Sequence, residues 1–238
     1  MTYTVVARCA ETGRLGVGIA TYSLGVGGYC PFFARGRAAL STQAFANPTL
    51  GPVAVDALTA GATVDDVLGR LESADPGFAY RQVCIVDLDG RVAMHTGPST
   101  RPWAGHVVGD GHAVFGNVLA GPATVDAMAA AYGEAAGAPL PERLLLTLEA
   151  GRDAGGQAGA GGVHLPERSA ALMVQGPDII EDINLRVDVH DDAVTELRRA
   201  YRAYAPYLDY YVLRARDPAN TPGQDVWARE NLGDDGAD

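Results

Sequence analysis

Lysine is absent from this 238-residue sequence, so all 18 basic side chains are arginines. We read that bias as GC-rich coding rather than as a functional signature. Positive charge is also outnumbered: 29 acidic residues leave a formal net charge of −11. Phosphate backbones are bound by clustered Lys and Arg, so nucleic acid is not an expected partner. Cysteine is scarce. Cys9, Cys30 and Cys84 lie far apart and no C-x-x-C pair exists. The expectation is buried thiols in a reducing compartment, not a disulfide framework. The five histidines (His95, His106, His112, His164, His190) never fall at i, i+4 spacing, so the pattern supports neither a metal site nor a metal cofactor. No apolar run reaches the ~18 residues of a membrane span, and the start lacks a basic stretch leading into an apolar one. The expectation is a cytoplasmic protein with no membrane partner.

Apolar residues make up 47% of the chain, and glycine contributes 30. A sizeable core with tight turns is therefore within reach. The length suits one domain with an appendage: residues 1–204 as the domain and 205–238 as a tail or arm.

Two β-like runs, YTVVAR and LGVGIAT, flank a short link with Gly13 and predict a hairpin. FFARGRAALSTQAFAN predicts two short extended pieces. Pro52 opens a helical stretch, and Thr63 caps a second one with Val64, Val67, Leu68 and Leu71 on one face. YRQVCIVDL and RVAMHTG flank Asp89-Gly90, a tight-hairpin signature, and HVVGDGHAVFGN predicts another pair. Helices follow from Pro122 and over PERLLLTLEAGRD. GGQAGAGG reads as a flexible loop without the Gly-Lys-Ser/Thr ending of a phosphate-binding loop. RSAALMVQ and INLRVDV are late strands, and DDAVTELRRAYRAY is a last helix. The proline- and tyrosine-bearing tail suggests an arm, and with it a homo-oligomer. Strands grouped this way predict an α+β domain of antiparallel sheets with helices outside.

The chemistry points to the start of the chain. Thr2 is small enough for methionine aminopeptidase to remove Met1. A terminal threonine then carries a hydroxyl nucleophile and its own α-amine as base, which titrates near ~7.7–8.0. The predicted hairpin brings Thr21 and Ser23 beside Thr2. A third β-run carries Arg35 and Arg37, and an arginine near the amine would lower its pKa. His106 and His112 could line a pocket mouth, His95 reads as structural, and Trp103 reads as a core anchor.

The segments MTYTVVAR, ARGRAALSTQAFANPTLGP, YRQVCIVDLDGRVAMHTG, PWAGH, GNVLAGP and LRVDVHDDAVTELRR together resemble domain-of-unknown-function family 1028. That family is grouped with the N-terminal nucleophile (Ntn) hydrolases. The resemblance runs from about Thr2 to Tyr204. It implies a four-layer αββα sandwich, and a mature N-terminal residue, here Thr2, attacking a small amide or peptide-like substrate. Asn117 in GNVLAG, and Gln43 or Asn47 in TQAFANP, are the implied oxyanion or substrate-binding donors.

One stretch departs from the family pattern. GGQAGAGGVHLPERSAAL puts Gln157 where an acid is usual, lengthens the loop and places Arg168 before Ser169. His164 and Glu167 are the candidates to replace that acid. The departure motivates a second reading, a non-catalytic scaffold that binds a metabolite or assembles with partners. A third, a cysteine-dependent enzyme, has no base beside any of its thiols in sequence.

Overall fold

The first hairpin forms because two runs of β-formers meet at Gly13, whose φ of 63° suits glycine at a tight turn. In the computed structural model, which describes residues 1–233, β1 (Thr2–Cys9) pairs with β2 (Arg14–Thr21), and Thr2 lies opposite Thr21. A second hairpin, β3 (Pro31–Ala34) and β4 (Ala38–Gln43), leads to helices α1 (Leu50–Thr59) and α2 (Val64–Ala74). Then come β5 (Gln82–Asp87), β6 (Val92–Thr96), β7 (Ala104–Gly109) and β8 (His112–Asn117). Helices α3 (Pro122–Glu134) and α4 (Leu140–Asp153) precede a two-residue pair, β9 (Gln157–Ala158) with β10 (His164–Leu165). Strands β11 (Ser169–Gln175) and β12 (Ile183–Val187) and helices α5 (Ala193–Tyr204), α6 (Leu208–Arg216) and α7 (Gln224–Asn231) complete the order.

This is an α+β protein with two main antiparallel sheets. One runs β12-β11-β2-β1-β8-β7, the other β3-β4-β5-β6. The N-terminal strand is therefore a central strand, bonded to β2 on one edge and to β8 on the other.

Side chains alternate along a strand, and on β1 the alternation sorts two environments. Tyr3, Val5 and Ala7 join α3, α4 and α5 residues such as Met128, Leu144, Leu148 and Leu197. Val6 joins Ile19, Phe115, Ala39 and Cys84 between the two sheets. A further cluster packs α1 and α2, through Leu50, Leu58, Val67 and Leu71, on Leu40, Val83 and Ile85 of the four-stranded sheet. Thr2 and Thr4 share the parity of Val6, so they face the space between the sheets. Glycines in β2 let α4 lie close: a Cβ at Gly16 would fall 2.6 Å from Leu144 Cδ1. Arg198 on α5, 8% exposed, bridges Glu142 at 2.6 Å and Glu149 at 2.7 Å, both on α4.

The structure corrects two expectations. The first helix opens at Leu50, not Pro52, which sits within the first turn where its missing N–H is harmless. The GGQ segment is not all loop: Gln157 is fully buried in β9, where its amide finds partners. The tail carries the two helices α6 and α7, and Trp227 packs 6.0 Å from Tyr207 and 5.3 Å from Tyr210. Residues 234–238, at the end of that tail, lie outside the described residues. No helix is long and apolar enough to cross a membrane, among the described residues.

Leu144 is fully buried at the α4–β2 contact. Leu144→Ala should cost about 2–5 kcal/mol, read as a lower urea midpoint at unchanged m-value.

Candidate active site

The register places Thr2 opposite Thr21 on β2 and opposite Asn117 on β8. Thr2 Oγ1 and Thr21 Oγ1 lie 3.2 Å apart. Both donate to the Met1 carbonyl oxygen, Thr2 at 2.5 Å. The Met1 amine donates to Asn117 Oδ1 at 2.6 Å. Ser23 N–H donates to Thr21 Oγ1 at 3.2 Å. Four of the sequence-selected residues thus meet at one point.

Parity brings in the opposite sheet. Gln43 on β4 and Gln82 on β5 face Thr4 and Asn117 across the gap. Thr4 Oγ1 donates to Gln43 Oε1 at 2.5 Å, and Gln43 Nε2 donates to Gln82 Oε1 at 3.0 Å. Asn117 Nδ2 donates to the same Gln82 oxygen at 3.1 Å. Gln82 Nε2 donates to the Gly116 carbonyl at 2.8 Å and to Thr96 Oγ1 at 3.1 Å. A chain of amides therefore runs between the sheets and ends at the N-terminal amine. It also sets Asn117: its nitrogen is committed to Gln82, so its oxygen faces the amine.

A cavity of about 540 Å³ opens here, lined by Met1, Thr2, Ser23, Gln43, Arg101 and Asn117 among others. Burial pushes the Met1 amine down from 8.0 to about 6, and the Arg101 cation adds to the effect. Cys30 also lines the cavity, but burial pushes its thiol up to about 12, so it is protonated at neutral pH and a poor nucleophile. Ala44 (φ 60°), Phe45 (φ 49°) and Val118 (φ 55°) all border the cavity in left-handed conformations. Such residues cost about 1–3 kcal/mol each and persist only where surroundings hold them. Val118 is held at both groups: its N–H donates to the Arg101 carbonyl at 3.2 Å and its carbonyl accepts from Ala158 N–H at 3.0 Å.

Three sequence-selected residues lie elsewhere. Arg35 and Arg37 sit at the turn of the β3–β4 hairpin, the end opposite Gln43. Arg35 pairs with Asp182, and Arg37 is exposed. The arginine at the cavity is instead Arg101, on the β6–β7 connection. Asn47 does not line the cavity: its Oδ1 accepts from Thr49 N–H at 3.2 Å and from Thr49 Oγ1 at 2.7 Å, an approach to α1. Sequence reasoning missed Gln82 and Arg101. Gln82 had a signal, a lone polar side chain opening an apolar strand at the inward parity; Arg101 sits in a loop with no periodicity.

Gln157 accepts from Tyr22 N–H at 3.0 Å and donates to Glu167 Oε1 at 3.2 Å. Glu167 is buried and His164 exposed, so of the two residues weighed as substitutes only Glu167 reaches this amide. None of the histidines lines the cavity; His95 stacks on Phe78 at 4.2 Å, and Trp103 packs on the helix-side core. No cluster of three or more His, Cys, Asp or Glu able to hold a metal exists among the described residues.

Fold and site together define an α+β protein of two antiparallel sheets with a polar cavity at the start of a central strand. The chain belongs to a family of unknown function, DUF1028, whose model matches residues 2–197. It is similar to the crystal structure of protein SPO2555 from Silicibacter pomeroyi, assigned to the same family. The two are 29% identical, the match covers 88% of this chain and 89% of that one, and the TM-score is 0.78. No curated protein matches the chain.

Two outcomes follow. Gln82→Met strands the buried amide donors of Gln43 and Asn117 and should cost about 2–4 kcal/mol in urea unfolding. In protein made with methionine aminopeptidase inhibited, the Met1 amine should titrate near about 6, read from acylation rate against pH. Between pH 6 and 8.0 the folded chain then holds fewer protons at this group than the unfolded one. The group's contribution to stability therefore rises with pH across that window.

Proposed function

We propose that the protein is an N-terminal nucleophile amidohydrolase that cleaves a small amide or peptide-like bond, with Thr2 as nucleophile once Met1 is removed. The observation that carries the reading is the position of Thr2. It opens a central strand, faces the cavity, and lies within hydrogen-bond reach of Thr21 and one residue from an amine held by Asn117. The helices on the far face of each sheet support reading the fold as a four-layer αββα sandwich, as expected of Ntn enzymes.

In this reaction Thr2 Oγ1 attacks the acyl carbon and its proton passes to the Thr2 α-amine. The carbonyl π pair moves onto oxygen, where the Thr21 hydroxyl and backbone N–H groups of the strained Ala44–Phe45 segment would stabilise it. Collapse breaks the C–N bond, and the leaving amine takes the proton from the α-ammonium. Water then attacks the resulting Thr2 ester, gives its proton to the α-amine, and releases the acid with the hydroxyl restored. A free α-amine ordinarily titrates near ~7.7–8.0, close enough to neutral pH to serve as this base. The carbonyl of Met1 lies on Thr2 and Thr21 hydroxyls, which supports the cavity's fitness for an acyl oxygen.

The second reading, a non-catalytic metabolite-binding scaffold, draws on Gln157 standing where an acid is usual. One set of measurements separates the two. Native protein should weigh one methionine residue less than the encoded chain. Across N-acyl amino acids, small peptides and primary amides, Thr2→Ala should lower turnover roughly 10³-fold or more, while Thr2→Ser keeps part of it. Retention of Met1 on active protein, or turnover unchanged in Thr2→Ala, would sink the proposal.

A further inference from the structure

Among the described residues, Arg101 is the one charged side chain on the cavity wall, and no Asp or Glu lines it. In a chain of net charge −11, a wall without acids is a selective environment for an anion. The guanidinium forms no ion pair among the described residues, whereas Arg35, Arg81 and Arg198 are all paired.

The platform under Arg101 is built. Its carbon lies 4.9 Å over the Phe45 ring, which is half exposed. Phe45 is held in its left-handed conformation by Arg81, whose Nη1 donates to the Phe45 carbonyl. Arg81 is itself fixed by Asp75 at 2.7 Å, a pair in which both side chains are largely buried. The Arg101 backbone is tied to Val118 by the 3.2 Å hydrogen bond already described. Arg101 is exposed, and stacking on Phe45 with a tied backbone reduces the rotamer freedom it would lose on binding.

We propose that Arg101 is a specificity residue that binds a carboxylate on the substrate, so that the cavity takes small acyl compounds carrying a free acid. This rests on the hydrolase reading for its acyl half and on the cavity alone for its anionic half. A planar guanidinium matches a carboxylate with two parallel hydrogen bonds. A phosphate dianion would call for a second cation or a helix N-terminus, and Arg101 is the sole cationic side chain here among the described residues. A cavity of about 540 Å³ lies in the range of small-molecule sites, roughly 300–1,000 Å³.

The test uses matched pairs at about pH 9, above the ordinary α-amine range of ~7.7–8.0, so that the amine contributes little attraction. N-acetylglycine, N-acetylalanine and succinate are titrated calorimetrically against their primary amides. Native protein, Thr2→Ala, Arg101→Met and Arg101→Lys are compared, with melting curves to show that each is folded. The acids should bind native protein and Thr2→Ala at least about tenfold more tightly than the amides, as a charged hydrogen bond warrants. Arg101→Met should erase that preference and leave the amides unchanged, and Arg101→Lys should restore part of it. The preference should also fall as salt rises. Equal binding of acid and amide, no binding of any acid, or a preference that survives in Arg101→Met overturns the inference. Hydrolysis of amides without acid preference would end this inference alone. Arg101-dependent binding of acids without any hydrolysis would end the hydrolase reading and leave the anion site standing.

Discussion

β1 is hydrogen-bonded along both edges, and the cavity depends on that. A chain terminus usually frays unless something ties it down. Here Thr2 is tied to Thr21 on one side and Asn117 on the other. A residue needed at a defined point can therefore sit at the very start of a strand. Alternation does the rest: once Val6 packs between the sheets, Thr4 and Thr2 must face the same gap. The hydrophobic pattern of β1 thus orients its two threonines as firmly as any local hydrogen bond.

That orientation puts polar groups into a dry interface, which is costly unless each finds a partner. The amide chain from Thr4 through Gln43 and Gln82 to Asn117 meets the demand by joining the two sheets. Its direction carries information. Gln82 offers its nitrogen to the Gly116 carbonyl, so its oxygen must accept from both neighbours. Asn117 then has only its oxygen left for the amine. A satisfied network of this kind holds one arrangement and excludes the flipped ones.

Much of the fold was legible because its signals are local. The Gly13 link, the Asp89-Gly90 turn and the Thr63 cap each name a short-range structure, and all three occur. The site was legible only as far as neighbouring strands could be inferred. The β1–β2 hairpin predicts the meeting of Thr2 and Thr21. Nothing local predicts that β8 would flank β1, so the place of Asn117 came from a family resemblance instead. Arg35 and Arg37 went astray through the same gap. A hairpin places its turn far from its open end, but which end faces Thr2 depends on how two sheets stack. In the tail, the prolines at 206, 218 and 222 fall in a short 3₁₀ turn and between helices, and the tyrosines between them find one another as ring contacts.

Gln157 stands where the family resemblance implies an acid, and its hydrogen bonds show what an amide does there instead. An acid at this position would accept from Tyr22 N–H just as the amide oxygen does. It would also bring a second carboxylate against Glu167, and two like charges in a buried site oppose each other. Glutamine resolves this: one end accepts from Tyr22, and the other donates to Glu167. A carboxyl group is thus present, one hydrogen bond further out. The next residue, Ala158, donates to the Val118 carbonyl and helps hold that β-branched residue in its left-handed conformation at the cavity edge. The segment is thereby connected to the N-terminal cavity by backbone and side chain together.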